Sequence, residues 1–496
     1  MRDSLKALAT RALAAGTLDG LPDRLWIDGA WRPARDGGRM ESFDPGSARP
    51  FASFAAGAAA DVDDAVASSE AAFAGWSRTP PAERGRILAR AAAMIREHAD
   101  RLAVAECLDV GKPVGEAAGD VNGAARAFEY YAGAADKLQG DSIPLGPDYV
   151  AFTLREPVGV TAHIVPWNYP ISTTARGIAP ALAAGCTTVV KPAEQTPFTA
   201  LMLAGILAEA GLPPGVCNVV TGTGESVGAP LVAHEGVQHV TFTGSAETGI
   251  GVMQSAARNV TSVTLELGGK SPVVVLADCD MDAALAGVLG AIYENAGQIC
   301  SAGARLVVER QIHDEFLERL VERTRGLTLG HGLRNPQLGP LSSAEHLSKV
   351  ESHVKAARAR GAEVVTGGTA TVDPMTGAGW FFQPTILDDL PAGDPAVQEE
   401  IFGPVLSVQI AEDAEEALRL ANCTRYGLVA GIYTRDLTTA LRLARDIDAG
   451  QIYVNEYFAG GIETPFGGNR MSGFGREKGL EGLRAYCKVK SVTARI

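Results

Sequence analysis

Val158-Gly-Val-Thr-Ala-His-Ile-Val165 heads a series of short apolar runs, followed by Thr187-Thr-Val-Val190, Val216-Cys-Asn-Val-Val220 and Val237-Gln-His-Val-Thr-Phe-Thr243. These runs are rich in Val, Ile and Thr, whose branched side chains suit a pleated, buried surface. Helix-like segments separate them. Parallel strands need crossovers long enough to hold a helix, so this alternation predicts βαβ units and an open α/β sheet. A second alternating block begins at Pro272–Leu276, continues through a helix over Met281–Asn295 and a strand over Arg305–Val308, and runs to about 460. Upstream, residues about 60 to 137 read as mostly helical, with Ile87, Leu88, Ala91 and Ile95 at helical spacing. The expected fold is α/β, with two open-sheet, Rossmann-like bodies facing each other across a cleft.

A chain of 496 residues is too long for one compact core. Hydrophobic residues at 46% and charged residues at 21% place it among globular proteins rather than disordered or fibrous ones. Its 44 Lys plus Arg stand against 58 Asp plus Glu, a formal charge of -14 that repels nucleic-acid phosphates and anionic lipid surfaces. No apolar run reaches the roughly 18 residues of a membrane span. The segment Met1–Gly20 lacks the apolar centre of a secretory signal; it is basic enough to suggest a mitochondrial presequence, against which Asp3 and Asp19 stand. The seven cysteines, at 107, 186, 217, 279, 300, 423 and 487, form no CxxC and no Cys–His zinc spacing. Reduced thiols, a cytoplasmic setting and no metal are expected.

Asn295-Ala-Gly-Gln-Ile-Cys300-Ser-Ala-Gly follows the predicted helix, and small neighbours leave the Cys300 sulfur accessible to an electrophile. Taken alone, such a cysteine is as well explained by structural burial. Glu266-Leu-Gly-Gly-Lys270 closes a strand over Ser262–Leu267, and a carboxylate followed by Gly-Gly there is either a plain charged terminus or part of a site. These two motifs, with Pro166-Trp-Asn168 upstream and Glu400-Ile-Phe402-Gly-Pro downstream, resemble the aldehyde dehydrogenase superfamily in order and spacing, from about residue 25 to the C-terminus. The resemblance implies an NAD(P)-dependent enzyme in which the Cys300 thiolate attacks an aldehyde carbon. Asn168 and the Cys300 backbone N–H would stabilise the oxyanion, and Glu266 would activate the water that hydrolyses the thioester. It also implies a division into an NAD-binding domain (1–137 and 158–267), a catalytic domain (268–465) and oligomerisation segments (138–157 and 480–496).

The GxGxxG fingerprint is absent; Gly222-Thr-Gly224-Glu-Ser-Val-Gly228 has GxGxxxG spacing, which a plain turn explains equally well. Thr243-Gly244-Ser245 follows a strand and opens a helix whose N–H groups suit a phosphate. By resemblance, the cofactor segment comprises Val165, Pro166, Trp167, Lys191, Glu194, Gly224, Gly228, Phe242, Gly244, Ser245, Leu267, Glu400 and Phe402. A carboxylate at Glu194 would accept a ribose 2′-hydroxyl and repel a 2′-phosphate, so NAD is expected over NADP, although Lys191 leaves NADP open.

The helix after Asn168 presents Tyr169, Thr173 and Arg176 on one face, which in the family lines the substrate tunnel; Phe466 and Glu294 are also assigned there. Succinate-semialdehyde dehydrogenases are similar in carrying an arginine at the place of Arg176, which would suit a substrate carboxylate. An internal acid paired with Arg176 is the alternative. Glu294 stands where those enzymes have a second arginine, and would either neutralise Arg176 or favour an amino group. Gly119 and Gly123, flanking Asp120 and Val121-Asn122, leave the tunnel mouth wide. A polar, carboxylate-bearing or bulky aldehyde is expected rather than acetaldehyde. The tail Gly475-Arg-Glu-Lys-Gly479 and the strand-like Lys488–Arg495 resemble the family's final segment, an arm that pairs with another subunit, implying a homodimer or homotetramer. A CoA-acylating relative would not need Glu266, and a non-catalytic descendant would not need Cys300, Glu266 and Asn168 together.

Overall fold

In the computed structural model, which describes residues 2–496, the strands Val160–Ile164, Thr187–Lys191, Cys217–Val219, Val237–Gly244 and Ser262–Leu267 pair in parallel. Across the sheet the third of these comes first, followed by the second, the first, the fourth and the fifth. Val160–Ile164 and Val237–Gly244 are therefore neighbours whose connections leave in opposite directions. Such a switch point opens a crevice beyond the carboxyl ends of the two strands. Leu25–Ile27 and Ala30–Arg32 extend one edge antiparallel, and Gly473–Phe474 extends the other, setting Gly473 opposite Glu266. The helices Ala59–Arg78, Pro81–Glu97, Ala99–Val110 and Val114–Ala134 precede the sheet. Ile87, Leu88, Leu102, Phe128, Leu182 and Phe198 join in one buried cluster. Each such side chain contributes about 1.5–3 kcal/mol by leaving water.

The second sheet is built around Pro272–Val275, which pairs in parallel with Arg305–Glu309 and Val429–Tyr433. Val405–Ala411 and Thr385–Asp388 continue one side, Gln451–Val454 continues the other, and Glu363–Thr366 closes an edge antiparallel. The expectation of two open α/β sheets holds, with antiparallel strands added at the edges. The helix expected to reach Asn295 stops at Tyr293. Asn295 and Ala296 then adopt φ of 45° and 54°, a left-handed turn that reverses the chain before Cys300.

Ser142–Ile143, Tyr149–Pro157 and Cys487–Arg495 form a separate antiparallel sheet, with Cys487 opposite Pro157 and Arg495 opposite Tyr149. Val150, Phe152, Leu154 and Val489 are exposed on it. The residues before its last strand, Gly479–Ala485, are helical, and Leu483 there is buried. Among the described residues no helix is long and apolar enough to cross a membrane.

Candidate active site

Asn168 sits in the loop leaving Val160–Ile164, just before the Pro170–Ala184 helix, whose first residue Pro170 has the φ a helix start needs. Its side chain is buried and donates from Nδ2 to the Gln298 carbonyl at 2.8 Å, while Asn295 Nδ2 donates back to the Asn168 carbonyl at 3.2 Å. Gln298 is itself braced, donating to the Asn295 carbonyl and accepting from the Ser342 N–H. The loop carrying Cys300 is thus tied to the loop carrying Asn168, across the cleft between the two sheets. Gly268 and Gly269 explain why this approach needs glycines. A Cβ on Gly269 would stand 2.7 Å from the Cys300 carbonyl oxygen, and one on Gly268 would strike the Glu400 carboxylate.

Two cavities meet at Cys300. One, of about 190 Å³, is lined by Pro166, Trp167, Asn168, Thr243, Gly244, Ser245, Gly268, Cys300, His346, Lys349, Glu400 and Phe402. It opens at the switch point of the first sheet. The other, of about 220 Å³, shares Pro166, Asn168, Thr243 and Cys300 with it and continues past Tyr169, Thr173, Arg176, Glu294, Phe466 and Lys478. Cys300 therefore lies on the wall common to both cavities. A wider open cavity of about 510 Å³, around Arg24, Trp31 and His98, shares no residue with either.

Burial pushes the Cys300 thiol up to about 11, with Arg176 drawing it down and Glu266 and Glu400 adding to the rise. Glu266 lies on the last turn of its strand, 1% exposed, and both carboxyl oxygens lack a hydrogen-bond partner. Burial first, and then Glu477, hold it well above the usual carboxylate range. It does not line either cavity. A Cβ on Gly467 would come within 2.6 Å of its Oε1, which places the carboxyl against the loop after Phe466.

The sequence reading left Arg176 with two fates, and the structure selects the internal pair. Its guanidinium meets the carboxylate of Glu477, whose side chain is 3% exposed. Glu294, the partner first considered, instead lies 3.4 Å from the Tyr169 hydroxyl. Arg176 projects from the second turn of its helix toward the 466–478 loop, whereas Glu294 stands beside Tyr169, near Lys112 and Asp120. Tyr169 also takes the Lys112 ammonium over its ring at 3.6 Å, and Lys112 pairs with Asp120 at 2.6 Å. No side chain fills the space beside Gly119 and Gly123.

The residues assigned to a dinucleotide separate into three groups. Pro166, Trp167, Gly244, Ser245, Glu400 and Phe402 line the groove, where the Trp167 and Phe402 rings pack edge-on with centroids 5.4 Å apart. The Glu400 carboxylate accepts the Gly269 N–H at 3.0 Å and is pushed up to about 7 by burial. Ser245 caps the Ala246–Ala256 helix, its Oγ accepting the Thr248 N–H at 3.2 Å and leaving the first-turn N–H groups of Ala246 and Glu247 for an anion. Lys191, Glu194, Gly224 and Gly228 lie outside both cavities. Lys191 ends the neighbouring strand and pairs with Glu194 at 2.8 Å, and Gly224–Gly228 is a single wide helical turn. Val165, Phe242 and Leu267 are buried supports. Glu477, Lys478 and Thr243 went unassigned in the sequence reading. The run Gly475-Arg-Glu-Lys-Gly479 signalled the first two, but as part of the tail rather than of a site.

Comparison with known proteins agrees with this arrangement. The aldehyde dehydrogenase family model matches residues 31–492. Betaine aldehyde dehydrogenase of Bacillus subtilis (strain 168) is 41% identical over 473 residues, 94% of this chain and 96% of its own length. Human 4-trimethylaminobutyraldehyde dehydrogenase is 41% identical over 463 residues, covering 93% and 94%. Among solved structures, Staphylococcus aureus betaine aldehyde dehydrogenase in complex with NAD+ superposes with a TM-score of 0.95 at 36% identity, covering 99% and 97% of the two chains. An indole-3-acetaldehyde dehydrogenase bound to NAD+ gives 0.96 at 38% identity over 99% of each. The chain belongs to the aldehyde dehydrogenase family.

Proposed function

We propose that the protein oxidises an aldehyde to its carboxylic acid through a covalent thioester on Cys300, using NAD in preference to NADP. The observation that carries this reading is the position of Cys300 on the wall shared by the two cavities, beside the Asn168 amide. A nicotinamide dinucleotide held in the Trp167–Phe402 groove would supply the hydride acceptor. The fit rests on the free first-turn N–H groups behind Ser245, the close approach allowed by Gly244 and Gly268, and the buried Glu400 carboxylate.

Attack by Cys300 turns the aldehyde carbonyl into an oxyanion. Asn168 Nδ2, which donates to the Gln298 carbonyl in the structure, and the Cys300 N–H would be the donors that take it. The thiol reaches this step only on deprotonation, which burial opposes and the Arg176 cation favours. Glu266 would accept the proton of the hydrolytic water after the thioester forms. To act so, its ionised carboxylate would have to turn from Gly467 toward Cys300. Near Glu266 stand Arg176, Arg476 and Lys478, all of which favour its ionised form.

The pocket walls Ser172, Thr173, Arg176, Glu294 and Lys478 support a polar or extended aldehyde rather than acetaldehyde. Residues 138–157 and 480–496 are proposed to mediate a homodimer or homotetramer, on the strength of Val150, Phe152, Leu154 and Val489 exposed on the arm. The domain division anticipated from the sequence is retained in the same spirit. A cytoplasmic setting is supported by seven free thiols. The test is steady-state NADH formation across a broad aldehyde panel with both cofactors. Turnover favouring polar aldehydes and NAD is expected. Best kcat/KM with acetaldehyde rejects the substrate reading, and a higher kcat/KM with NADP rejects the cofactor preference.

A further inference from the structure

Lys478 stands out in the substrate pocket because its backbone and its charge both run against expectation. Its φ of 59° and ψ of 173° fall in a region that only glycine adopts readily, yet the residue is a lysine. That conformation carries the side chain back over Phe466, with Nζ 5.2 Å from the ring centroid, and onto the wall of the cavity that holds Cys300. The Arg176 guanidinium is also 5.2 Å from the same ring. Two cations thus share one aromatic ring on the wall of the cavity that holds Cys300.

The charges around them do not cancel. Arg176 is matched by Glu477, whereas Lys478 makes no ion pair among the described residues. Glu266, the next carboxyl, makes no ion pair with Lys478 and does not line this pocket, so it leaves the Lys478 charge in place. Burial and the neighbouring Arg176 draw the Lys478 ammonium down to about 8, which keeps it mostly charged at neutral pH. On the opposite wall Asp120 is taken by Lys112, and Glu294 lies against the Tyr169 hydroxyl, its carboxyl raised above the ordinary value by burial and by Asp120. Lys478 is therefore the cation of this pocket left free to meet a substrate anion.

We infer that Lys478, rather than Arg176, is the specificity-determining cation of this pocket, and that it selects aldehydes bearing a carboxylate or similar anionic group at the end remote from the aldehyde. This rests on the proposed aldehyde oxidation and narrows its substrate class. Arg176 serves as a positioning residue, with Glu477 consuming its charge and Phe466 holding Lys478 beside it. An aldehyde with a trimethylammonium tail would meet a like charge, so the pocket disfavours it.

The test compares a straight-chain ω-oxo acid, its methyl ester and the matching ω-trimethylammonio aldehyde on the full-length enzyme with NAD. The acid is expected to have the highest kcat/KM. Lys478→Met should lower the acid-to-ester ratio by roughly 30-fold, the size of one lost hydrogen bond to a charged group, mainly through KM for the acid. Lys478→Arg should keep most of the ratio, and it decides the matter if Lys478→Met melts well below wild type. An ester or ammonium substrate equal to or better than the acid overturns the inference, as does a ratio unmoved by Lys478→Met. Both failures leave Cys300 chemistry intact. Absence of turnover with every aldehyde, and of any acyl adduct on Cys300, would instead remove the activity on which the inference stands.

Discussion

Replacing Glu477 with glutamine probes the electrostatic frame behind Cys300. The Arg176 side chain is 14% exposed and that of Glu477 is 3% exposed, so the pair is screened by protein rather than by water. Removing one partner of a buried pair typically costs about 3–5 kcal/mol, because the remaining charge is stranded away from solvent. Glu477→Gln should therefore destabilise the fold by roughly that amount in urea or guanidinium titration, relieved in part by an amide oxygen still facing the guanidinium. Arg176→Met should cost a similar amount by stranding Glu477. In the double variant no stranded charge remains, so its loss should fall short of the sum of the two single losses by about 2–3 kcal/mol, the coupling energy. Losses that simply add, with coupling below about 0.5 kcal/mol, would show that the two side chains do not depend on each other and would refute the reasoning.

Three further outcomes follow from the geometry. Asn168→Ala should lower kcat by about 100- to 1000-fold, the loss seen when an oxyanion donor is removed, with a smaller change in KM; stopped-flow NADH absorbance measures it. Glu400 is raised from 4.5 to about 7, so its ionisation costs the folded state stability as pH climbs through that window. Glu400→Gln should gain roughly 3 kcal/mol on wild type between pH 4 and pH 8, read from denaturant midpoints at each pH. Gly269→Ala places a methyl group 2.7 Å from the Cys300 carbonyl oxygen, and should cut kcat more than tenfold by shifting the thiol. Activity within twofold of wild type would contradict that packing.

Much of the fold was legible because strand and helix periodicities are local. Ser262–Leu267 was placed to the residue, since an alternating run closed by Gly-Gly leaves few other readings. Cys300 and Asn168 were legible as motifs, yet their joining through Gln298 and Asn295 depends on a left-handed turn at Asn295 and Ala296. Asn tolerates that conformation, but Ala296 gives no sign of it. Gly268-Gly269 looked like a functional flourish, and the structure supplies a steric reason for both. The partner of Arg176 was not legible, because Glu477 lies 301 positions away and Glu294 was the nearer acid by family position. Lys478 was hidden for a different reason. Only its backbone conformation turns it into the pocket, and sequence patterns carry no sign of a lysine held where glycine is usual.

The central claim is that Cys300 carries the reaction as a covalent acyl intermediate. Rapid quenching of enzyme, aldehyde and NAD in the first turnover, followed by peptide mass spectrometry, measures this directly. The account predicts that the mass of one acyl group appears on the peptide containing Cys300, persists longer in Glu266→Gln, and is absent from Cys300→Ala, which turns over no aldehyde. Full turnover by Cys300→Ala, or an acyl group found on another of the seven cysteines, would contradict it.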